Sequence, residues 1–310
     1  MRRAAALLLS LAVFAAACSS SGSVDRAGAA AGPQSGGKPR SNGASETATS
    51  GAGETVEATV GVAARGEERG GPSGVTFVAR PEASGGSKQE ADTILAVRYG
   101  VHEGYERAVL DLGTGDKPAL RVPEWTLMSP RGDGLLRLTL PSVSATGVPD
   151  GRFGNALLKS FYVVRAPDGG MFVDVLARRA FTYRVLELAD PARLVVDFKP
   201  AGKPLEVPPP RVGGHTVLVE PRAGARIHTP LTISGYSRNL EGSNTVVLVD
   251  SRGRVVLRRT VQSNDWSETW GYFETTLDLQ PFGPRGTLRV GTQGARDGTF
   301  EGVEVPIHGG

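Results

Sequence analysis

The chain is expected to be mainly all-β, and three observations lead there. Apolar residues recur with a period of two: Leu136, Leu138 and Leu140 alternate with Arg137 and Thr139, while Phe273, Thr275, Leu277 and Leu279 alternate with Glu274, Thr276 and Asp278. That spacing belongs to strands with one face in a core and the other in water. Pro- and Gly-rich clusters, such as Pro130-Arg131-Gly132-Asp133-Gly134 and Pro167-Asp168-Gly169-Gly170, punctuate the runs as turns do. The single cysteine, Cys18, leaves no internal disulfide, so the folded regions must rest on their cores and on extensive backbone pairing.

At the start of the chain Arg2 and Arg3 precede an apolar run from Ala4 to Ala17, and small residues lead into Cys18. A positive start, an apolar segment and a small-residue cleavage site make the layout of a secretory signal. The run is about 14 residues long, short of the ~20 that a bilayer span needs. With a cysteine at the processing point, residues 1–17 resemble a bacterial lipoprotein signal peptide, although Ala15 stands where that family usually carries Leu. The resemblance implies that the Cys18 thiol is lipidated and becomes the new N-terminus. The alternative is an ordinary secretory signal with an incidental cysteine nearby.

Residues 18–88 are dominated by Ser, Gly, Ala, Glu and Thr, with Phe77 the lone aromatic. Such a stretch buries too little apolar surface to offset its ordering entropy, so it is expected to be a disordered linker. As a flexible coil it would span ~45 Å, and roughly 230 Å drawn out. Gly74 to Ala79 is a weak strand candidate within it.

Residues 91–200 form the first expected domain. Ile94–Tyr99, Ala108–Leu112, Leu135–Leu140, Phe172–Leu176 and Leu194–Phe198 predict strands, Asn155–Phe161 predicts a short helix, and Gly113–Lys117 reads as a hairpin turn. A motif recurs: Arg107 to Leu112 and Arg193 to Phe198 each carry Arg and Asp four residues apart, with Phe172-Val173-Asp174-Val175 a looser copy. At that spacing Arg and Asp share a strand face and can pair across a sheet. These charges are expected to decorate a solvated face, with a ligand-binding role as the alternative. Gly104-Tyr105-Glu106-Arg107-Ala108-Val109-Leu110-Asp111 and the closing run Tyr183 to Asp197 resemble the two ends of the AMIN-like domains of bacterial envelope proteins. The resemblance implies a noncatalytic, β-rich envelope module whose relatives contact glycan while localising other proteins.

Residues 201–212, with Pro208-Pro209-Pro210, read as a stiff spacer holding two domains apart. Residues 213–310 have the statistics of a β-sandwich, with short strands separated by turn residues at near-regular spacing. Thr245–Val249 and Arg254–Leu257 flank Asp250-Ser251-Arg252-Gly253 as a hairpin, and Val303, Val305 and Ile307 give a final strand one apolar face. Val217–Pro221, Ile227–Gly235, Glu241, Gly271-Tyr272-Phe273 and Asp297-Gly298 resemble the immunoglobulin-like domain of bacterial spore-germination proteins. That likeness implies an envelope module with a link to sporulation or germination.

Reactive chemistry is not indicated. The four histidines are widely separated, no zinc motif or nucleophile elbow occurs, and no pair of carboxylates is placed for glycoside hydrolysis. A noncatalytic protein without cofactor or metal is the expectation. The formal charge of +3 falls to near neutral once Arg2 and Arg3 leave with the signal, which argues against a nucleic-acid partner. Arg131-Gly132-Asp133 matches an adhesion tripeptide by chance. The most suggestive cluster is Trp266, Trp270 and Tyr272, with Trp125 carrying the same ambiguity. Aromatic rings among amides and carboxylates either grip sugar rings or plug a small core, and both readings stand at this level. The expected protein is therefore exported, lipid-anchored in the cell membrane through Cys18 and facing the wall or periplasm. It binds cell-wall glycan such as peptidoglycan, or else acts as an adaptor that recruits an envelope protein by strand addition.

Overall fold

The period-two run 135–140 builds a strand with those same limits, Leu135–Leu140. In this computed structural model, which describes residues 76–88, 91–130, 132–293 and 298–309, Leu136, Leu138 and Leu140 enter one core. They meet Val163, Met171, Val173 and Val175 there, from strands Leu158–Arg165 and Met171–Ala177. The opposing layer is a six-stranded sheet ordered Phe181–Leu188, Arg193–Pro200, Tyr105–Thr114, Thr93–His102 and Ala145–Thr146, with Lys117–Pro118 paired to Tyr105–Thr114. Its inward residues, among them Ile94, Leu110, Leu112, Leu194, Val196 and Phe198, close the first sandwich. The hairpin expected at Gly113–Lys117 is present, with Gly113 and Thr114 registered on Pro118 and Lys117.

Two expectations need correction. Asn155–Phe161 is not a helix: Leu158–Arg165 is a strand, and its partner Met171–Ala177 is buried along its whole length. A strand covered on both faces loses the alternation that identifies it, so an apolar cluster of this length reads equally well as a helix turn. Glu106, from the Gly104–Asp111 motif, sets the entry to that strand; its buried carboxylate accepts the N–H groups of Leu157 at 2.9 Å and Leu158 at 2.8 Å. The linker also ends earlier than residue 88. Glu82–Gly85 is a strand paired with Trp125–Met128, and Val78 exchanges both backbone bonds with Tyr183. Residues 74 and 75, Cys18 and the whole signal segment lie outside the described residues.

The second half is again two layers. A five-stranded sheet runs Arg226–Ile227, Phe300–Gly309, Gly286–Gln293, Ser243–Asp250 and Val255–Gln262. Val303, Val305 and Ile307 point from it into a core with Val246, Leu248, Leu288, Ile233 and Phe273, as their single-faced pattern requires. At the Ser243–Val255 hairpin, Asp250 accepts the N–H groups of Arg252 and Arg254, both at 2.9 Å, and Gly253 takes φ 81°, the left-handed region open to glycine.

The two halves share a sheet. Ten strands form it, and the path passes from Met171–Ala177 through Leu158–Arg165 to Trp270–Leu277, Leu231–Ser237, Thr216–Glu220 and Arg211–Gly213. The junction is short: Trp270 lies opposite Val164 and Gly271 opposite Arg165, in parallel. It uses the part of the Leu158–Arg165 edge left beyond the short strand Asp150–Arg152, which covers Ser160–Tyr162. The spacer 201–212 therefore does not hold two bodies apart; the described residues on either side of it belong to one compact unit.

The sheet also folds back on itself at this junction. Phe172 and Tyr236 sit three strands apart, which in a flat sheet is ~14 Å, yet their rings are 6.2 Å apart. The bend brings the outer faces of the two halves together around a third cluster, which includes Leu135, Tyr162, Val164, Phe172, Val217, Val219, Tyr236 and Trp270. Arg137, expected on a solvated face, instead points into this seam. It donates twice to its register partner Asp174, each bond 2.8 Å, and lies over the Phe172 ring at 4.0 Å. Asp174 is 0% exposed.

Candidate functional site

The segment from Asn264 to Tyr272 stands out by its aromatics, and the fold uses most of it to clasp the halves together. Asn264 Nδ2 donates to the carbonyls of Arg165 at 3.2 Å and Ala166 at 3.1 Å, and its Oδ1 accepts the N–H of Tyr272 at 2.8 Å. Thr269 Oγ1 donates to the Val163 carbonyl at 2.6 Å. Asp265 is the organiser. Its Oδ1 accepts the N–H groups of Trp266, Ser267 and Glu268, and its Oδ2 accepts Arg165 Nε at 2.8 Å. Burial raises the Asp265 pKa, but Arg165 and the three N–H groups outweigh it and hold the carboxyl below its ordinary value. The loop passes directly over Gly271, where a β-carbon would sit 2.0 Å from the Asp265 carbonyl oxygen. Glycine is required there by close approach, which accounts for the Gly-Tyr-Phe run.

The four candidate aromatics divide. Trp270 is 4% exposed, donates from Nε1 to Asp150 at 2.9 Å and stands edge-on to Tyr162 and Tyr236. Trp125 is 5% exposed, in the first core, with Nε1 donating to Glu187 at 2.8 Å. Both rings are packed inside, which leaves Trp266 and Tyr272 as the outward members. Trp266 is 40% exposed at the tip that Asp265 organises. Tyr272 is half-buried, edge-on to Phe172, and its hydroxyl donates to Glu274 at 2.5 Å. Burial, and then the neighbouring Glu274 carboxylate, push the Tyr272 phenol up to about 12, so it stays a neutral donor.

An open cleft of about 500 Å³ lies beside this loop, bounded by Pro167, Gln262, Asn264, Tyr272 and Glu274. An aromatic wall, two amides and a carboxylate can stack on the apolar face of a ring and pair with its hydroxyls. Among the described residues no group of three or more His, Cys, Asp or Glu is arranged to hold a metal ion, and no helix is long and apolar enough to cross a membrane.

The Arg and Asp motif proves structural in a way its spacing only partly foretold. Asp197 lies opposite Arg107 and Arg184 in register and accepts from both, at 2.6 Å and 2.7 Å from their Nε atoms. The expected cross-strand pairing is there, but Asp197 is 0% exposed and not solvated. Asp133, of the Arg-Gly-Asp tripeptide, is also internal: it accepts the Leu135 N–H at 2.7 Å and Arg222 Nη2 at 2.9 Å, across the seam. Burial raises its pKa, and the attraction of Arg222 only partly offsets that. The sequence placed Asn264 and Asp265 beside the indoles but gave no sign of Arg165 or of their clasping role, because single polar residues acquire such roles only when the partner strand is known.

No curated protein and no solved structure matches the chain. Residues 216–299, the greater part of the second sandwich and the whole of the clasp segment, match the family model of the immunoglobulin-like domain of bacterial spore germination.

Proposed function

We propose that the protein is an exported, noncatalytic envelope component that is lipid-anchored at Cys18 and binds wall glycan through the Trp266–Glu274 segment. The stretch between Cys18 and the described body supplies the tether. One observation carries the glycan reading: Trp266 is held outward on a loop tip fixed by Asp265, and the same segment supplies Asn264, Tyr272 and Glu274 to an open cleft. Pre-ordering the tip that presents this ring reduces the entropy lost on binding. The match of residues 216–299 to a spore-germination module supports an envelope setting, with a sporulation or germination role as its finer form.

The test is co-sedimentation of the full chain with isolated peptidoglycan. Trp266→Ala should weaken retention about tenfold, which corresponds to ~1.4 kcal/mol, at an unchanged unfolding midpoint. Equal retention of the variant would overturn the glycan site. In fractionated cells Cys18→Ala should move the protein from the membrane to the soluble exported fraction, and continued membrane retention would overturn the anchor.

A further inference from the structure

The outer face of the six-stranded sheet carries more positive charge than its own carboxylates neutralise. Adjacent strands place Arg98, Arg107, Arg184, Arg193 and Lys199 on it, against Asp111 and Asp197. Both carboxylates are engaged. Asp111 accepts two bonds from Arg98, at 2.6 Å and 2.7 Å. Asp197 is shared between Arg107 and Arg184 and is sealed from water beneath them. Arg184 gives Asp197 only its Nε, and Lys199 has no ion pair among the described residues.

Aromatic rings fix these cations in place. The Arg184 guanidinium lies 4.7 Å from the Phe77 ring centre and 5.2 Å from that of Tyr105, and Lys199 Nζ is 5.8 Å from Phe77. Such contacts hold a charge at the surface without cancelling it. In register, Arg107 and Arg184 flank Asp197 on the strands either side of it, about 10 Å apart, and Lys199 lies two residues beyond Asp197 on the middle strand. A group of positive charges held across neighbouring strands of one face suits a flexible chain that bears repeated anionic groups. Guanidinium forks favour phosphate oxygens through paired N–H bonds. Phe77 and Tyr105 already have cations against them, and His102 stacks on Tyr105 at 4.7 Å, so both rings are engaged within the protein.

We propose that this face binds a phosphodiester-linked polyanion without bases, at a site separate from the Trp266 loop. The choice of a wall-type polymer rests on the envelope reading above, whereas the surface itself does not. The full chain is titrated with poly(glycerol phosphate), which has no sugar ring, so the result is independent of the glycan site. Binding is expected at 50 mM salt and should weaken at least tenfold by 200 mM, as contacts to a polyanion do. The double variant Arg184→Gln/Lys199→Gln should weaken it at least tenfold at 50 mM. Lys199→Gln alone breaks no ion pair among the described residues and should weaken it about threefold, which keeps the test valid if the Arg184 change disturbs folding. Absence of binding at 50 mM, insensitivity to salt, or equal binding by Lys199→Gln and the double variant to wild type would overturn the proposal. So would equal or tighter binding of poly(glutamate) or of single-stranded poly(A).

Discussion

Trp270→Ala is expected to cost about 3–5 kcal/mol, the range for truncating a buried Trp, and to split unfolding into two transitions. Trp270 is the residue at which the shared sheet crosses from one sandwich to the other, opposite Val164. Its ring fills the seam against Tyr162 and Tyr236, and its Nε1 reaches across to Asp150. Each half retains its own core without it, one around Leu138, Val173 and Leu110 and the other around Phe273, Leu248 and Val290. What is lost is the coupling between them. In calorimetry the wild type should show one transition and the variant two, the lower one lost by the half that holds residues 216–299. A single transition with a loss below about 1 kcal/mol would show that the backbone junction alone joins the halves.

Asp174→Ala is expected to cost about 3 kcal/mol, the low end for breaking a buried pair, because it leaves the Arg137 guanidinium, on a side chain 24% exposed, without its fully buried counter-ion. Arg137 is held by Asp174 through two bonds and lies against Phe172 within the seam. Burial opposes the Arg137 charge, but Asp174 outweighs it and raises the pKa. Burial, and then the Asp174 charge, push the Tyr236 phenol well above its ordinary value, so that hydroxyl remains neutral. Replacing both partners together, Arg137→Met with Asp174→Leu, should recover most of the loss, since two apolar chains of similar size have no charge to desolvate. Denaturant titration of the two single variants and the double variant gives the coupling energy directly. If the double variant is as unstable as Asp174→Ala, the pair acts through shape and not through charge.

Much of the fold was legible before any coordinates. Leu135–Leu140 and the Val303–Ile307 face follow from period-two alternation, and the Asp250–Gly253 turn from the chemistry of Asp and Gly. The spacing of Arg107 and Asp197 allowed cross-strand pairing, which the register realises, whereas the Asp174–Arg137 pair was not legible in the sequence. The segment containing Trp266, Trp270 and Tyr272 stands out in the sequence for its aromatics, but spacing cannot say which of three rings faces water. In a strand Trp270 and Tyr272 share a face, and only the bend of the sheet turns that face into a seam.

By itself, then, the sequence determined the layered β-architecture, the turns and the pairing of charges along strands, because each depends on neighbours within a few residues or on a repeat of two. The tertiary structure alone decided that Leu158–Arg165 is a strand, that the halves share a sheet, and that Asp174, Asp133 and Trp270 are internal. Burial on a second face depends on what another part of the chain lays against it. No local pattern encodes that, because the covering residues here lie some 60 to 110 positions away.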